Sequence, residues 1–165
     1  MTEPVKLITD ALLDETAQRA AACPRLRMNF NFHSDDGDNP HRFLNAIRRH
    51  SYCTPHRHVT PPKAESFLIL RGKLAFLLFD DAGTPSACYR LGENGLFGVD
   101  VSPGAWHTVV ALSDVAICYE VKAGPYEPIA DKDFAPWAPR EGTAEAITYL
   151  TRLERYLESR DDLRR

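Results

Sequence analysis

No Cys-x-x-Cys pair occurs in this chain. Cys23, Cys53, Cys88 and Cys118 stand far apart, which excludes a zinc knuckle or a dithiol redox motif and leaves small thiols in a reducing compartment. Basic clusters are missing as well. Twenty Lys and Arg against 23 Asp and Glu give a formal net charge of -3, and with no dense positive stretch to follow a phosphate backbone, nucleic acid is not expected as a partner. Apolar runs such as Phe67-Leu68-Ile69-Leu70 fall far short of the roughly twenty residues that span a bilayer, so no membrane partner is expected either. The N-terminus lacks the basic start and apolar centre of a signal peptide, and the expected location is cytoplasmic. With no internal repeat or low-complexity segment, 165 residues predict one domain whose core needs no disulfide support.

What is present is a change of period along the chain. Thr9 is placed to cap a helix over 10–22, which Cys23-Pro24 stops because the residue before proline disfavours helical dihedrals. From Arg27 to His33 the period is two, with Met28, Phe30 and Phe32 on one face and Asn29, Asn31 and His33 on the other. Ser34 to Pro40 has loop composition. Short strands are then predicted over 42–48, 52–58, 65–70, 73–79, 87–91, 96–101, 106–111 and 115–122, separated by turn residues such as Arg71-Gly72, Asp81-Ala82-Gly83, Gly92-Glu93-Asn94-Gly95 and Ser102-Pro103-Gly104. Many short strands without intervening helices predict an all-β sandwich or barrel. The organisation expected is thus an N-terminal helical segment (1–26), a β-barrel (27–122), a proline-rich strap (123–142) and a C-terminal helix (143–165).

The strap carries Pro125, Pro128, Pro136 and Pro139, which deny it helix and central-strand geometry. Tyr126, Phe134 and Trp137 predict that it lies ordered against the barrel, burying those rings. Thr143 is placed to cap the last helix, to about residue 159, with Ile147, Leu150, Leu153, Tyr156 and Leu157 as its apolar stripe. That stripe fits either the barrel of its own chain or a second subunit. The end from Arg160 to Arg165 is expected to fray.

The chemistry-bearing stretch is Pro55-His56-Arg57-His58. Two residues apart on a strand, His56 and His58 present imidazoles to one side, with Thr54 and Tyr52 on the same face. Glu65 opens the next strand and returns a carboxylate to the same place if the two strands are antiparallel. His107 follows Pro103-Gly104 on a later strand. A lone buried histidine is more often a hydrogen-bonded core residue than a ligand, but His-x-His, a leading glutamate and Pro-Gly-x-x-His together predict a mononuclear site for a divalent transition metal: iron, manganese, zinc, nickel or cobalt.

At these residues the chain resembles the cupin superfamily, and more closely the WbuC-type cupin-fold metalloproteins. The resemblance rests on Asn29-Phe30-Asn31-Phe32-His33, Pro55-His56-Arg57-His58, Phe79-Asp80-Asp81-Ala82-Gly83, Pro103-Gly104-Ala105-Trp106-His107 and the stretch from Glu120 through Gly142. It implies a double-stranded β-helix, the jelly-roll barrel of cupins, flanked by the two helices. It also implies a homodimer, a small-molecule ligand, and a link to surface-polysaccharide biosynthesis. Six residues separate His58 from Glu65 where the general cupin motif has three or four, which leaves open whether Glu65 binds directly or at longer range through water.

Three imidazoles and a carboxylate leave two positions of a six-coordinate ion for ligand or water, an open site of the catalytic type. Asn29, Asn31 and His33 are candidates to line the barrel mouth, the amides reading hydroxyls and His33 moving protons, with solvation of all three as the alternative. Tyr52 and Lys122 are further candidates for the substrate pocket. Glu120 and Lys122 fit either that pocket or an exposed ion pair. His41 and His50 read as surface residues, and Trp106 as packing. The function these features predict is a metalloenzyme acting on a small polar metabolite, a sugar or sugar derivative, by isomerisation or proton transfer; the alternatives are an iron dioxygenase and a non-catalytic metal-dependent binding module.

Overall fold

The computed structural model describes residues 4–127 and 132–161. Pro128 and Asp131 of the strap, and the end of the chain beyond 161 that is expected to fray, lie outside the described residues. Helix α1 (Asp10–Ala22) starts where Thr9 Oγ1 accepts the Leu12 N–H and ends at Cys23, whose backbone is extended. Strands β1 (Arg27–Asn31), β2 (His41–Arg48), β4 (Glu65–Arg71), β7 (Gly98–Val101) and β9 (Val115–Lys122) form one antiparallel sheet, in the order β1-β2-β9-β4-β7. The second holds β3 (His56–Arg57), β5 (Leu74–Phe79), β6 (Pro85–Leu91), β8 (Trp106–Ala111) and β10 (Asp133–Phe134), in the order β10-β3-β8-β5-β6. Helix α2 (Ala144–Asp161) follows, with Thr143 Oγ1 accepting the Ala146 N–H. The fold is an all-β jelly-roll barrel with an N-terminal and a C-terminal helix.

Three apolar layers hold it together. Between the sheets lie Phe67, Leu74, Phe76, Leu91, Val109 and Cys118. On the outer face of the first sheet, Leu13 and Ala20 of α1 cover Leu44, Ala46 and Ile117, with Met28, Phe30 and Phe32 packed alongside. On the second sheet, Ala146, Leu150, Leu153 and Leu157 of α2 cover Ala75, Leu77, Phe79 and Val110. Strand β5 thus buries both of its faces, which is why its sequence is a continuous apolar run rather than an alternation. The α2 stripe covers the barrel of its own chain. Its stripe also differs from the expected one: Ile147 is 71% exposed, because the buried positions 146, 150, 153 and 157 define a line that leaves 147 about 100° to one side.

The strand expected over 52–58 is shortened to His56–Arg57. Pro55 has no N–H to offer, and two of the carbonyls before it are taken by side chains rather than by a neighbouring strand: Tyr52 O by Arg27 and Cys53 O by Thr108 Oγ1. The strap gains a short strand, β10, and its aromatics divide. Trp137 packs on Phe79 and Trp106, with centroids 5.1 and 6.1 Å away, whereas Phe134 (53%) and Tyr126 (37%) remain exposed because Ala135 and Ala138 occupy the buried positions. Among the described residues no helix is long and apolar enough to cross a membrane.

Gly72 makes the β4–β5 turn at φ +73°, and a Cβ there would sit 2.1 Å from Val115 O. Gly72→Ala therefore meets a backbone wall in a dihedral region unfavourable to L residues. The expected outcome is a loss of about 2–3 kcal/mol in urea unfolding. An unchanged midpoint would show that the turn relaxes freely.

Candidate metal centre and its cavity

The pairing of β3 with β8 makes His56 and His107 direct cross-strand partners, so their rings enter the barrel side by side with centroids 4.5 Å apart. His58 follows two residues on, its ring 5.3 Å from that of His56. Glu65, the first residue of β4, reaches across from the other sheet: Oε1 lies 3.2 Å from His58 Nε2 and Oε2 lies 3.1 Å from His107 Nε2. All four residues are buried, and one ligand atom from each lies within 4.8 Å of the others. The longer spacing from His58 to Glu65 is taken up by the loop through Pro61 and Pro62 and does not keep the carboxylate away.

The donor set fits a divalent transition metal. His56 Nδ1 lies 3.0 Å from Thr54 O and His107 Nδ1 lies 2.9 Å from Ala105 O, so in both rings Nδ1 carries the proton and Nε2 offers a lone pair. Burial first, then the charges of Lys132 and His107, lower the His56 pKa well below the usual histidine value and keep the imidazole neutral. For Glu65 burial pushes the other way, but the adjacent His107 and His58 outweigh it and hold the carboxyl well below its ordinary range. Glu65 Oε2 and His107 Nε2 are buried yet complete no hydrogen bond of good geometry, as expected of atoms arranged around an ion. The Phe76 ring stacks on His107 at 5.4 Å and fixes it from behind.

A cavity of about 420 Å³ opens above this cluster. The polar face of β1 borders it: Asn29 and Asn31 are exposed at its mouth and His33, just past the strand, is buried, while Phe30 and Phe32 pack under α1. Lys122 lines it too. Tyr52 does not. With no regular strand from 52 to 55, the alternation that would align Tyr52 with His56 is lost; its ring joins the layer under α2 and its hydroxyl donates to Pro139 O at 2.8 Å. His41 is no surface residue: it is 3% exposed, opens β2, and stacks on His33 with centroids 4.1 Å apart. Glu120 and Lys122 are buried cavity residues rather than an exposed pair. His50 lies at the surface beside Glu154, and Trp106 packs beneath the Arg57 guanidinium, 4.2 Å from its ring centroid.

Asn45 is not legible as a site residue in the sequence. Its Nδ2 donates to Glu120 Oε1 at 2.7 Å inside the cavity. The one available signal is its polarity at an inward position of β2, between Phe43 and Ile47. Burial, followed by the charge of Glu65, pushes the Glu120 carboxyl up to about 7 against the opposing pull of Asn45, Lys132 and Lys122.

Solved structures of several proteins resemble this chain in fold. The capsular polysaccharide assembling protein CapF from Staphylococcus aureus aligns with a TM-score of 0.52 at 20% identity, over 65% of this chain and 31% of its own. The chain thus spans about a third of the length of that protein. TT1209 from Thermus thermophilus aligns at 0.52 and 17% identity over 70% of this chain and 95% of its own. A cupin 2 domain-containing protein from Halorhodospira halophila aligns at 0.45 and 17% identity, over 76% and 74%. At such identities the first two likenesses show the fold alone. No curated protein matches the sequence. Residues 8–91, from the start of the α1 region to the end of β6 and including His56, His58 and Glu65, match the model described as Domain of unknown function (DUF6016), and the chain belongs to that family.

Proposed function

We propose that the protein is a metal-dependent enzyme that moves a proton on a small polar metabolite, a sugar or sugar derivative. The observation that carries this reading is the buried His56, His58, Glu65 and His107 group at the floor of a polar cavity. A divalent ion held there would polarise a carbonyl or hydroxyl oxygen of the substrate and acidify the neighbouring C–H or O–H. Glu120 is the cavity carboxyl able both to hold and to release a proton near neutral pH, and Asn45 fixes its orientation. Glu120 takes the proton from one substrate carbon and returns it to the next, while the neighbouring hydroxyl gives its proton to the carbonyl oxygen, so that the two isomers interconvert with no net change in atoms or charge. Asn29 and Asn31 supply amides that orient hydroxyls, and His33 offers a second exchangeable site. The WbuC-type resemblance supports a sugar derivative of surface-polysaccharide synthesis as substrate, and the likeness of fold to a capsular polysaccharide assembling protein is in keeping with it.

The test is deuterium exchange from D₂O into a panel of aldoses, ketoses and their uronate and phosphate derivatives, followed by NMR. Exchange at a substrate carbon is expected, lost on metal removal and slowed at least about a hundredfold in Glu120→Gln. Exchange that survives metal removal would contradict the reading. Oxygen consumption without exchange would replace it with the iron dioxygenase, and saturable binding with the ligand recovered unchanged would replace it with a binding module.

A further inference from the structure

The strap that follows β9 brings a cation back to the cavity. Asp133 and Phe134 of β10 are the direct partners of Arg57 and His56, and the Phe134 ring lies 6.3 Å from that of His56. Asp133 Oδ2 also accepts the Val59 N–H at 3.2 Å, so the strap keeps beside the chain that carries His56 and His58. Lys132, half-buried, stands one residue before this pairing and lines the cavity. Its charge is felt on both sheets. After burial it is the largest influence lowering the His56 pKa on the second sheet, and it opposes the upward push that burial and Glu65 give Glu120 on the first.

Other cations of the cavity are committed. Arg25 and Arg27 pair with Glu141, and the Lys122 ammonium lies 5.6 Å from the Tyr126 ring centroid. Lys132, among the described residues, makes no hydrogen bond or ion pair. Glu120 is open at one oxygen: Asn45 Nδ2 holds Oε1, and no hydrogen bond among the described residues engages Oε2. Asp36, Glu65 and Glu120 line the cavity alongside Lys122 and Lys132, a balance that suits an uncharged polar group between them rather than an anion. Isomerisation of such a group moves two protons, one between carbons and one between oxygens. An ammonium that donates, and accepts again once it is an amine, can serve the oxygens.

We propose that Lys132 is the second proton-transfer residue of this site, carrying a proton between the two substrate oxygens while Glu120 carries one between the two carbons. The proposal rests on the reading of the cavity as a site of proton transfer on a sugar. Glu120 removes the proton from the hydroxyl-bearing carbon, the C–H pair becomes the C=C bond, and the carbonyl π pair takes a proton from the Lys132 ammonium. The amine so formed takes the proton of the neighbouring hydroxyl. That O–H pair closes the new carbonyl as the C=C pair recovers the proton from Glu120 at the former carbonyl carbon. Carboxylate and ammonium are both restored, and substrate and product differ in neither atoms nor charge.

The experiment compares wild type, Lys132→Met and Lys132→Arg with the sugar panel in D₂O, following by NMR both the isomer formed and deuterium entry at carbon. Arginine keeps the charge but does not release its proton. The expected result is unchanged metal content and circular dichroism, with isomer formation reduced at least about a hundredfold in both variants. Calorimetric binding of glycolohydroxamate, whose two oxygens imitate the enediol pair, is expected to weaken about tenfold in Lys132→Met and to persist in Lys132→Arg. Should Lys132→Met fail to fold, Lys132→Gln takes its place, with the same losses expected. Isomer formation at the wild-type rate in either variant, or unchanged glycolohydroxamate affinity in Lys132→Met, would overturn the proposal and leave the role of Glu120 standing. A wild type that exchanges deuterium at carbon yet forms no isomer would overturn it alone, and one that does neither would overturn the underlying reading as well.

Discussion

A His56→Ala/His107→Ala variant is expected to bind divalent metal more than about a hundredfold more weakly than the wild type, since removal of a mere supporting hydrogen bond to a ligand already costs roughly 10–100-fold. The expectation follows from the register. These two residues are direct partners across β3 and β8, and their Nδ1 protons are committed to Thr54 O and Ala105 O, so both Nε2 lone pairs face the same point as the Glu65 carboxylate. Without them His58 and Glu65 alone remain. Competition with a chromophoric chelator reads the affinity, and far-UV circular dichroism shows whether the barrel persists. Some loss of stability is expected, about 1–3 kcal/mol, because the His107 ring stacks on Phe76 and Glu65 keeps fewer partners for its buried charge. Undiminished affinity in a folded variant would locate the metal elsewhere.

The second large effect is a pH-dependent gain of stability in Glu120→Gln, measured on metal-free protein. Burial, with Glu65 adding to it, pushes the Glu120 carboxyl from 4.5 up to about 7. Below pH 4.5 it is protonated in both folded and unfolded chains, and its folded environment carries no penalty. As pH rises toward 7 the unfolded chain gives up its proton first, so the folded state loses stability, to a total of about 3 kcal/mol. Glutamine keeps an amide oxygen for Asn45 Nδ2 and never ionises. Urea midpoints of wild type and variant should therefore diverge from pH 4.5 upward, with the variant the more stable above pH 7. A difference independent of pH would mean that Glu120 titrates at its ordinary value.

Much of this is legible in the residues. Alternation and Gly-rich turns mark most strands, because a sheet with one face on the interior must repeat every second residue. The four candidate ligands are legible as a set because His-x-His, the leading glutamate and the later Pro-Gly-x-x-His each fall on a recognisable strand start. What stays hidden depends on contacts between distant segments. Tyr52 lies where side chains from β1 and β8 take the backbone carbonyls, and no local period shows that. His41 reads as exposed from its place after a loop, whereas the pairing of β2 with β9 seats it opposite Lys122. The polar face of β1 is ambiguous between water and cavity in the sequence, and with α1 covering the apolar face it meets both: Asn29 and Asn31 are exposed at the cavity mouth, and His33 is buried inside it. Ile147 shows the same limit on a helix: its chemistry fits a stripe, but the barrel selects the line through Ala146 instead.

Elemental analysis of protein purified without added metal or chelator tests the central claim most directly. The account predicts close to one equivalent of a single divalent transition metal per chain, bound by His56, His58, Glu65 and His107. A protein that carries none, and takes up none when iron, manganese, cobalt, nickel or zinc is supplied, would contradict it.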